Sequence, residues 1–201
     1  EGERYDIHLY SRRKGRRRKK TRGKRVVIPN RVDITRRFLG AYNRSRYGHW
    51  EDDSIVSKRG TRGGAKIAYE RKARFIMARK VESMKPEEHA DVERDIFSRV
   101  KARSVTRDNG FENRFHERVG VPSFFCRPYS AWQKGGVENA NKMVRRYLPK
   151  GTDFESVSQE ELNHIVSIIN EKPRKILGYR SALEVARAAG IIKDESVLIE
   201  G

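Results

Sequence analysis

Cysteine is almost absent from this chain. Cys126 stands alone, so no internal disulfide can form and no cysteine-rich zinc site can be built; a buried strand position is expected for it, with a reactive thiol as the lesser alternative. Long apolar runs are absent as well. No stretch of about 18 apolar residues occurs, and no apolar core follows a charged start, so neither a membrane span nor a visible secretion signal is expected, which together with the lone cysteine points to a reducing cytoplasm. Acids are scarce: 27 Asp and Glu face 46 Lys and Arg, a formal charge of +19 on 201 residues. Such an excess calls for a polyanionic partner, nucleic acid before membrane.

The positive charge is concentrated. Residues 11–25, SRRKGRRRKKTRGKR, contain eleven Lys or Arg and no acid. A block of this kind cannot enter a core, and it is expected to stay extended until it lies on DNA or RNA; a merely solvated or targeting tail is the bland alternative. Arg16, Arg17, Arg18, Lys19 and Lys20 are the expected phosphate contacts, each neutralised phosphate adding about −0.9 to the salt slope on duplex DNA. Such contacts supply affinity without choosing a sequence.

Beyond Val26 the chain has length enough for one ordinary domain with a real core. Pro29 and scattered arginines suggest a linker with a short helix over Ile34–Tyr42. Tyr47–Ser57 reads as the first core strand, and Gly60, Gly63 and Gly64 turn the chain into strands over Ala65–Tyr69 and Arg74–Val81, an antiparallel start. Pro86, Glu87 and Glu88 open a helix whose inward face is Ala90, Ile96, Phe97 and Val100. A short strand from Ser104 ends in the turn Asp108-Asn109-Gly110. Phe111, Phe115 and Val119 predict a short amphipathic helix closed by Gly120, and Val121–Cys126 a buried strand. Ser158 and Glu161 form a capping box for a helix through Ile169, and Ser181 with Glu184 a second for Leu183–Ala189.

The most informative stretch is Arg127–Lys150. Pro128 and the Gly135-Gly136 pair mark a loop, and Val137, Met143, Val144, Tyr147 and Leu148 then recur at helical spacing until Pro149. Glu138 is nearly alone as an acid on this helix, with Lys142 and Arg145 behind it, four and seven positions on. The segments Tyr129-Ser-Ala-Trp-Gln-Lys-Gly135, Glu138-Asn139, Asn141 and Leu148-Pro-Lys-Gly-Thr-Asp-Phe154 closely resemble the third catalytic motif of IS30-family bacterial transposases. Gly48-His-Trp-Glu-Asp-Asp53 resembles the first motif of that family, with Asp52 where a glycine is usual. Asp108 matches the second aspartate by its order in the chain, and Asn170-Glu-Lys-Pro-Arg174 resembles a further family motif.

This resemblance implies an α/β fold: an RNase H-like, integrase-type catalytic core with a mixed five-stranded sheet flanked by helices. The expected organisation is a basic N-terminal extension over 1–46, following a helix-turn-helix region that is not complete here, and a catalytic domain with C-terminal helices over 47–201. The implied triad is Asp53, Asp108 and Glu138, holding Mg²⁺ or Mn²⁺, with two ions expected. The intervals are 54 and 29 intervening residues; the second is short for the family, attributed to a trimmed helix or loop between Asn113 and Pro122. Strand alternation allows only one of Asp52 and Asp53 to face the metals, and Asp53 is preferred. Glu51 shares its face, either supporting the site or simply solvated; His49 is expected to be structural or a DNA contact, and Glu112 and His116 are expected on a helix surface. Lys134, Lys142, Arg145 and Arg146 are the expected holders of the substrate backbone. The implied activity is DNA transposition: nicking at the ends of an insertion sequence, then 3′-hydroxyl attack on DNA, including joining of element ends into a circle. The implied setting is a homo-oligomer on DNA, nucleoid-associated in a bacterial cytoplasm. A domesticated relative that binds DNA without cutting, and an RNase H-type nuclease, are the alternatives.

Overall fold

The computed structural model of the chain describes residues 27–193; the basic block with Arg16, Arg17, Arg18, Lys19 and Lys20 lies outside the described residues. Its centre is a mixed sheet. Strands β2 (His49–Val56), β3 (Gly64–Glu70) and β4 (Ile76–Val81) form the antiparallel meander that the sequence predicts. Helix α2 (Pro86–Ser98) then crosses over and delivers β5 (Ser104–Arg107) parallel to β2, as a same-sheet parallel return requires. Strand β6 (Ser123–Phe125) adds parallel to β5.

A sixth strand joins the five expected. Val32–Asp33, β1, pairs parallel with β6 and gives the order β1-β6-β5-β2-β3-β4. The segment expected to be a linker therefore lies on the core, and its expected single helix is divided into a 3-10 turn, Ile34–Arg36, and one turn of helix, α1 (Leu39–Tyr42). Asp33 stops the strand by accepting a hydrogen bond from the Thr35 backbone, and extended backbone at Arg37 separates the two turns. The Phe111–Val119 segment also differs from expectation. It is a 3-10 run interrupted at Phe115, closed by left-handed Gly120.

Helices cover both faces of the sheet. Trp50 on β2, Val105 on β5, Ile96 and Phe97 on α2 and Ala182, Val185 and Ala186 on α5 (Ala182–Ala188) form one core. Ile55, Ile67, Tyr69 and Ile76 form the other with Val137, Ala140 and Val144 of α3 (Gly135–Val144) and Leu162, Val166 and Ile169 of α4 (Gln159–Glu171). Ser158 accepts from Glu161 N at the start of α4, and Ser181 with Glu184 makes the full reciprocal box at α5.

The close seat of α3 depends on a glycine. A Cβ at Gly136 would collide with the Tyr69 ring and lie 2.7 Å from Glu51 Oε2, so only glycine lets the first helical turn rest on β2 and β3. Gly135 and Gly136, expected in the loop, are thus the first residues of the helix.

Between the sheet and α2 lies a buried charge quartet. Asp52 meets Lys66 at 3.3 Å and Arg107 at 3.1 Å; Glu93 meets Lys66 at 2.7 Å and also pairs with Arg107. Two anions and two cations balance with almost no solvent contact. Burial opposes the Lys66 ammonium, but the charges of Asp52 and Glu93 outweigh it and raise its pKa. Removing one member of a buried pair costs about 3–5 kcal/mol, because the remaining charges lose compensation.

Two outcomes follow for stability. Lys66→Met should lower unfolding free energy by about 3–5 kcal/mol in urea titrations, and Asp52→Asn in the same chain should cost less than its separate effect, since the two share one network. His49 is neutral in the fold: burial, then the charges of Arg103, Arg71, Arg37 and Arg46, push its pKa from 6.5 down to about 4. Between those values the unfolded chain binds more protons, so stability should fall as pH drops from about 6.5 to about 4, and His49→Gln should flatten that slope in thermal melts.

Candidate active site

Adjacent aspartates part company on β2. The pleat sends Asp52 to the α2 face and into the quartet, while Asp53 turns to the α3 face with Glu51. Glu51 is not solvated. It is buried, paired with Arg71, and its Oε2 accepts from Val137 N at 2.9 Å in the first turn of α3, where a carboxylate also complements the helix dipole. This contact, the Gly136 approach and β2 together set where α3 begins.

Asp108 follows the last residue of β5, one strand from Asp53. Its Oδ1 accepts from Gly110 N at 3.0 Å and from Asn113 Nδ2 at 2.9 Å, so the turn and the 3-10 run fix the carboxylate. Asn113 Oδ1 in turn accepts from Lys66 Nζ at 3.3 Å, which links the site to the quartet.

The two aspartates converge on one cation. Lys134 Nζ lies 3.3 Å from Asp53 Oδ1 and 3.2 Å from Asp108 Oδ2, and it also donates to the Asp52 carbonyl at 3.2 Å. Lys134 was expected at a DNA phosphate, but it is only 5% exposed and its ammonium sits inside the site. Burial disfavours that charge; Asp53, Asp108 and Asp52 outweigh the penalty and raise its pKa.

Glu138 shares the helix face that touches Asp53. Asn141, three residues on, donates to Asp53 Oδ2 at 2.8 Å, and Lys134, four residues back, reaches Asp53 from the 3-10 turn Ala131–Lys134. Glu138 itself is half-buried. Among the described residues no three His, Cys, Asp or Glu side chains stand close enough to hold a metal together. The donor chemistry nevertheless fits a hard divalent cation: oxygen acceptors of Asp53 and Asp108 already flank a positive centre, and Glu138 lies on the adjacent face.

Other candidates divide. Lys142 and Arg146 are exposed, as backbone contacts would need to be. Arg145, expected beside them, directs its guanidinium to the carbonyls of Leu148, Pro149 and Val56, closing the end of α3 against the end of β2. His49 is structural, bound to Ser104 Oγ at 2.8 Å, and so is His116, 2.9 Å from the Pro29 carbonyl. Glu112 is half-buried, and burial, with the charge of Asp108, pushes its carboxyl up. Burial raises the Cys126 thiol to about 11, which makes it inert. Asn113 and Asn141 were missed as positioning groups. Asn141 had two signals, its place in the family-like motif and its spacing of three from Glu138; Asn113 had none.

No protein-family model matches the chain. The transposase for insertion sequence element IS4351 of Bacteroides fragilis is 34% identical over 182 residues, covering 86% of this chain and 56% of that protein. The transposase for IS1086 of Cupriavidus metallidurans is 35% identical over 169 residues, covering 81% and 50%. Transposase InsI for IS30C of Escherichia coli (strain K12) is 30% identical over 194 residues, covering 92% and 50%. The chain spans about half the length of the curated relatives it matches. Among solved structures, the catalytic core domain of BIV integrase matches with a TM-score of 0.55 at 16% identity, covering 71% of this chain and 95% of that one. The fold is therefore that of an integrase catalytic core, RNase H-like.

If the Lys134 ammonium holds Asp53 and Asp108 together, Lys134→Met should destabilise the metal-free protein by about 1–3 kcal/mol, less than a fully buried pair because Asp108 is partly exposed. The same variant should bind Mn²⁺ several-fold more tightly by calorimetry, since no internal cation competes. Unchanged stability together with unchanged affinity would show that the lysine does neither.

Proposed function

We propose, from a chain that is similar over most of its length to insertion-sequence transposases and that folds as an integrase catalytic core, that it is the catalytic part of a DNA transposase. It breaks a phosphodiester at an element end and joins the freed 3′-hydroxyl to another DNA strand. One observation carries the reading. Asp53 and Asp108, distant in sequence, flank a single cationic centre, and the helix bearing Glu138 touches Asp53 through Asn141.

In this reading Asp53, Asp108 and Glu138 hold divalent cations, with Mg²⁺ or Mn²⁺ the suited ions and two the expected number. Such ions supply acidity to an attacking hydroxyl and stabilise charge on the departing oxygen of an in-line displacement at phosphorus. The protein's own groups do the positioning. Asn141 orients the Asp53 carboxylate, Asn113 and Gly110 N orient that of Asp108, and Glu51 with Gly136 sets the helix that carries Glu138. Exposed Lys142 and Arg146 on and beyond the same helix face the substrate backbone, and the basic block at 11–25 adds sequence-independent affinity. Reading of a particular terminal repeat and pairing of two ends by a homo-oligomer belong to the whole protein. Among the described residues no helix is long and apolar enough to cross a membrane.

The test is a cleavage and strand-transfer assay on DNA carrying the element's end, with Mg²⁺ or Mn²⁺. Asp53→Asn and Glu138→Gln should each lower both steps by about 100-fold or more, the scale of several kcal/mol of charge stabilisation, while salt-dependent DNA binding persists. Full strand transfer by Glu138→Gln would overturn the assignment.

A further inference from the structure

Behind the loop that carries Lys134 lies a second concave site, which the chemistry above does not use. It is a cavity of about 690 Å³, and its lining includes Arg37, Arg44, Arg71, Arg127, Tyr42 and Trp132. That volume suits a small-molecule or nucleotide-sized guest. Glu51 and Gly135 also border it, so it opens beside the strand that bears Asp53 and the helix that bears Glu138.

Its electrostatics are lopsided. The carboxylate of Glu51 is already committed to Arg71 and to Val137 N. Among the described residues neither Arg37 nor Arg44 meets a carboxylate; Arg37 Nη1 donates to Thr106 Oγ1 at 3.3 Å, while its Nε is buried without a hydrogen-bond acceptor. Arg127 reaches Asp33 only at 3.9 Å. Burial, then the charges of Arg37, Arg44 and Arg74, lower the Arg71 pKa to about 9, so these guanidiniums repel one another in a partly desolvated space. Such a group of cations is best relieved by an anion with several acceptor oxygens, which a phosphate provides.

Aromatic planes stand open at the same place. Trp132 is 75% exposed and Tyr42 73%; other rings such as Tyr129 and Tyr179 are open elsewhere on the surface, but these two are the aromatic residues that line this cavity. Arg37 already lies over the Tyr42 ring at 6.0 Å. A ligand that satisfies both features carries a phosphate and a flat π surface. Bases inside a duplex have their faces covered by neighbours; an unpaired base offers a free face for stacking.

We propose that this cavity receives an unpaired nucleotide of a DNA strand, its base stacked on Trp132 and its phosphate held by Arg37 and Arg44. The proposal rests on the DNA-processing reading and specifies it: the strand entering the site is frayed or single-stranded next to the reacting phosphate. The 3-10 turn that carries Trp132 also carries Lys134, so stacking there and placement of the ammonium between the aspartates are coupled through one short segment.

The chain has two tryptophans, and Trp50 is fully buried, so Trp132 reports on the cavity. Titration with hexathymidylate should quench its fluorescence, and a blunt duplex of equal phosphate content should quench it far less. Heparin, which has charge but no bases, should leave it nearly unchanged. In anisotropy titrations with labelled hexathymidylate, Trp132→Ala should weaken binding by about 5- to 100-fold, the range of one base stacked on one aromatic ring. Trp132→Phe should recover most of that loss, and duplex affinity should change by less than about twofold. Equal quenching by heparin, or unchanged hexathymidylate affinity in Trp132→Ala, overturns the proposal while duplex binding and strand transfer leave the transposase reading intact. Absence of binding to either form of DNA, with no strand transfer, brings down the reading on which the proposal rests.

Discussion

On a strand, neighbouring side chains cannot share an environment, and at Asp52-Asp53 this constraint organises the protein. One carboxylate points toward α2, where no water is available and a charge survives only if neutralised, and Lys66, Glu93 and Arg107 supply that balance. The other points toward α3 on the opposite, partly open face of the sheet, where its oxygens stay available to Lys134 and Asn141. The same pleat places Glu51 on the α3 side, two residues from Asp53, so the strand that carries the candidate acid also anchors the helix that carries Glu138. A shift of register by one residue would exchange these environments and remove the site and the quartet together.

The site is built from groups whose charges need one another. Asp53 and Asp108 lie one strand apart, and two carboxylates turned to the same space would repel without a cation between them. Lys134 provides that cation from within the chain. Asn113 joins this arrangement to the interior, since it donates to Asp108 and accepts from Lys66, so the candidate reactive edge and the buried network are held by one continuous set of polar contacts. On the far side of the loop the balance is reversed: cations gather around Arg37 and Arg71 with too few anions, beside open aromatic rings. A surplus of anion-accepting groups on one side of Lys134 and paired acids on the other is an arrangement suited to a chain of phosphates passing by.

Much of this was legible in the residues. Alternation along 49–56 separates Asp52 from Asp53, the proline and acids at 86–88 mark the start of α2, and the Ser181 and Glu184 pair marks α5, because each signal is local and acts over a few bonds. Less legible was the strand at Val32–Asp33: two residues are too few to show a period, and their pairing with β6 depends on a partner some ninety positions away. The 3-10 character of 111–119 escaped notice for a similar reason. Its apolar spacing suits a helix, but the tie between Asn113 and Asp108 and the left-handed turn at Gly120 set its winding.

The sequence by itself determined the sheet's antiparallel start, the order of the helices, the strongly basic character and the three acids worth watching, since composition, period and motif are properties of neighbouring residues. Only the tertiary structure decided what the long cations do. Lysine and arginine side chains reach several ångströms in any direction, so Lys134 can enter the site, Arg145 can close a helix end, Lys66 and Arg107 can vanish into the core and Arg37 can line a cavity, all from stretches that read alike as basic. Their roles depend on which acids and carbonyls the fold brings within reach, and that is settled by contacts between residues far apart in the chain.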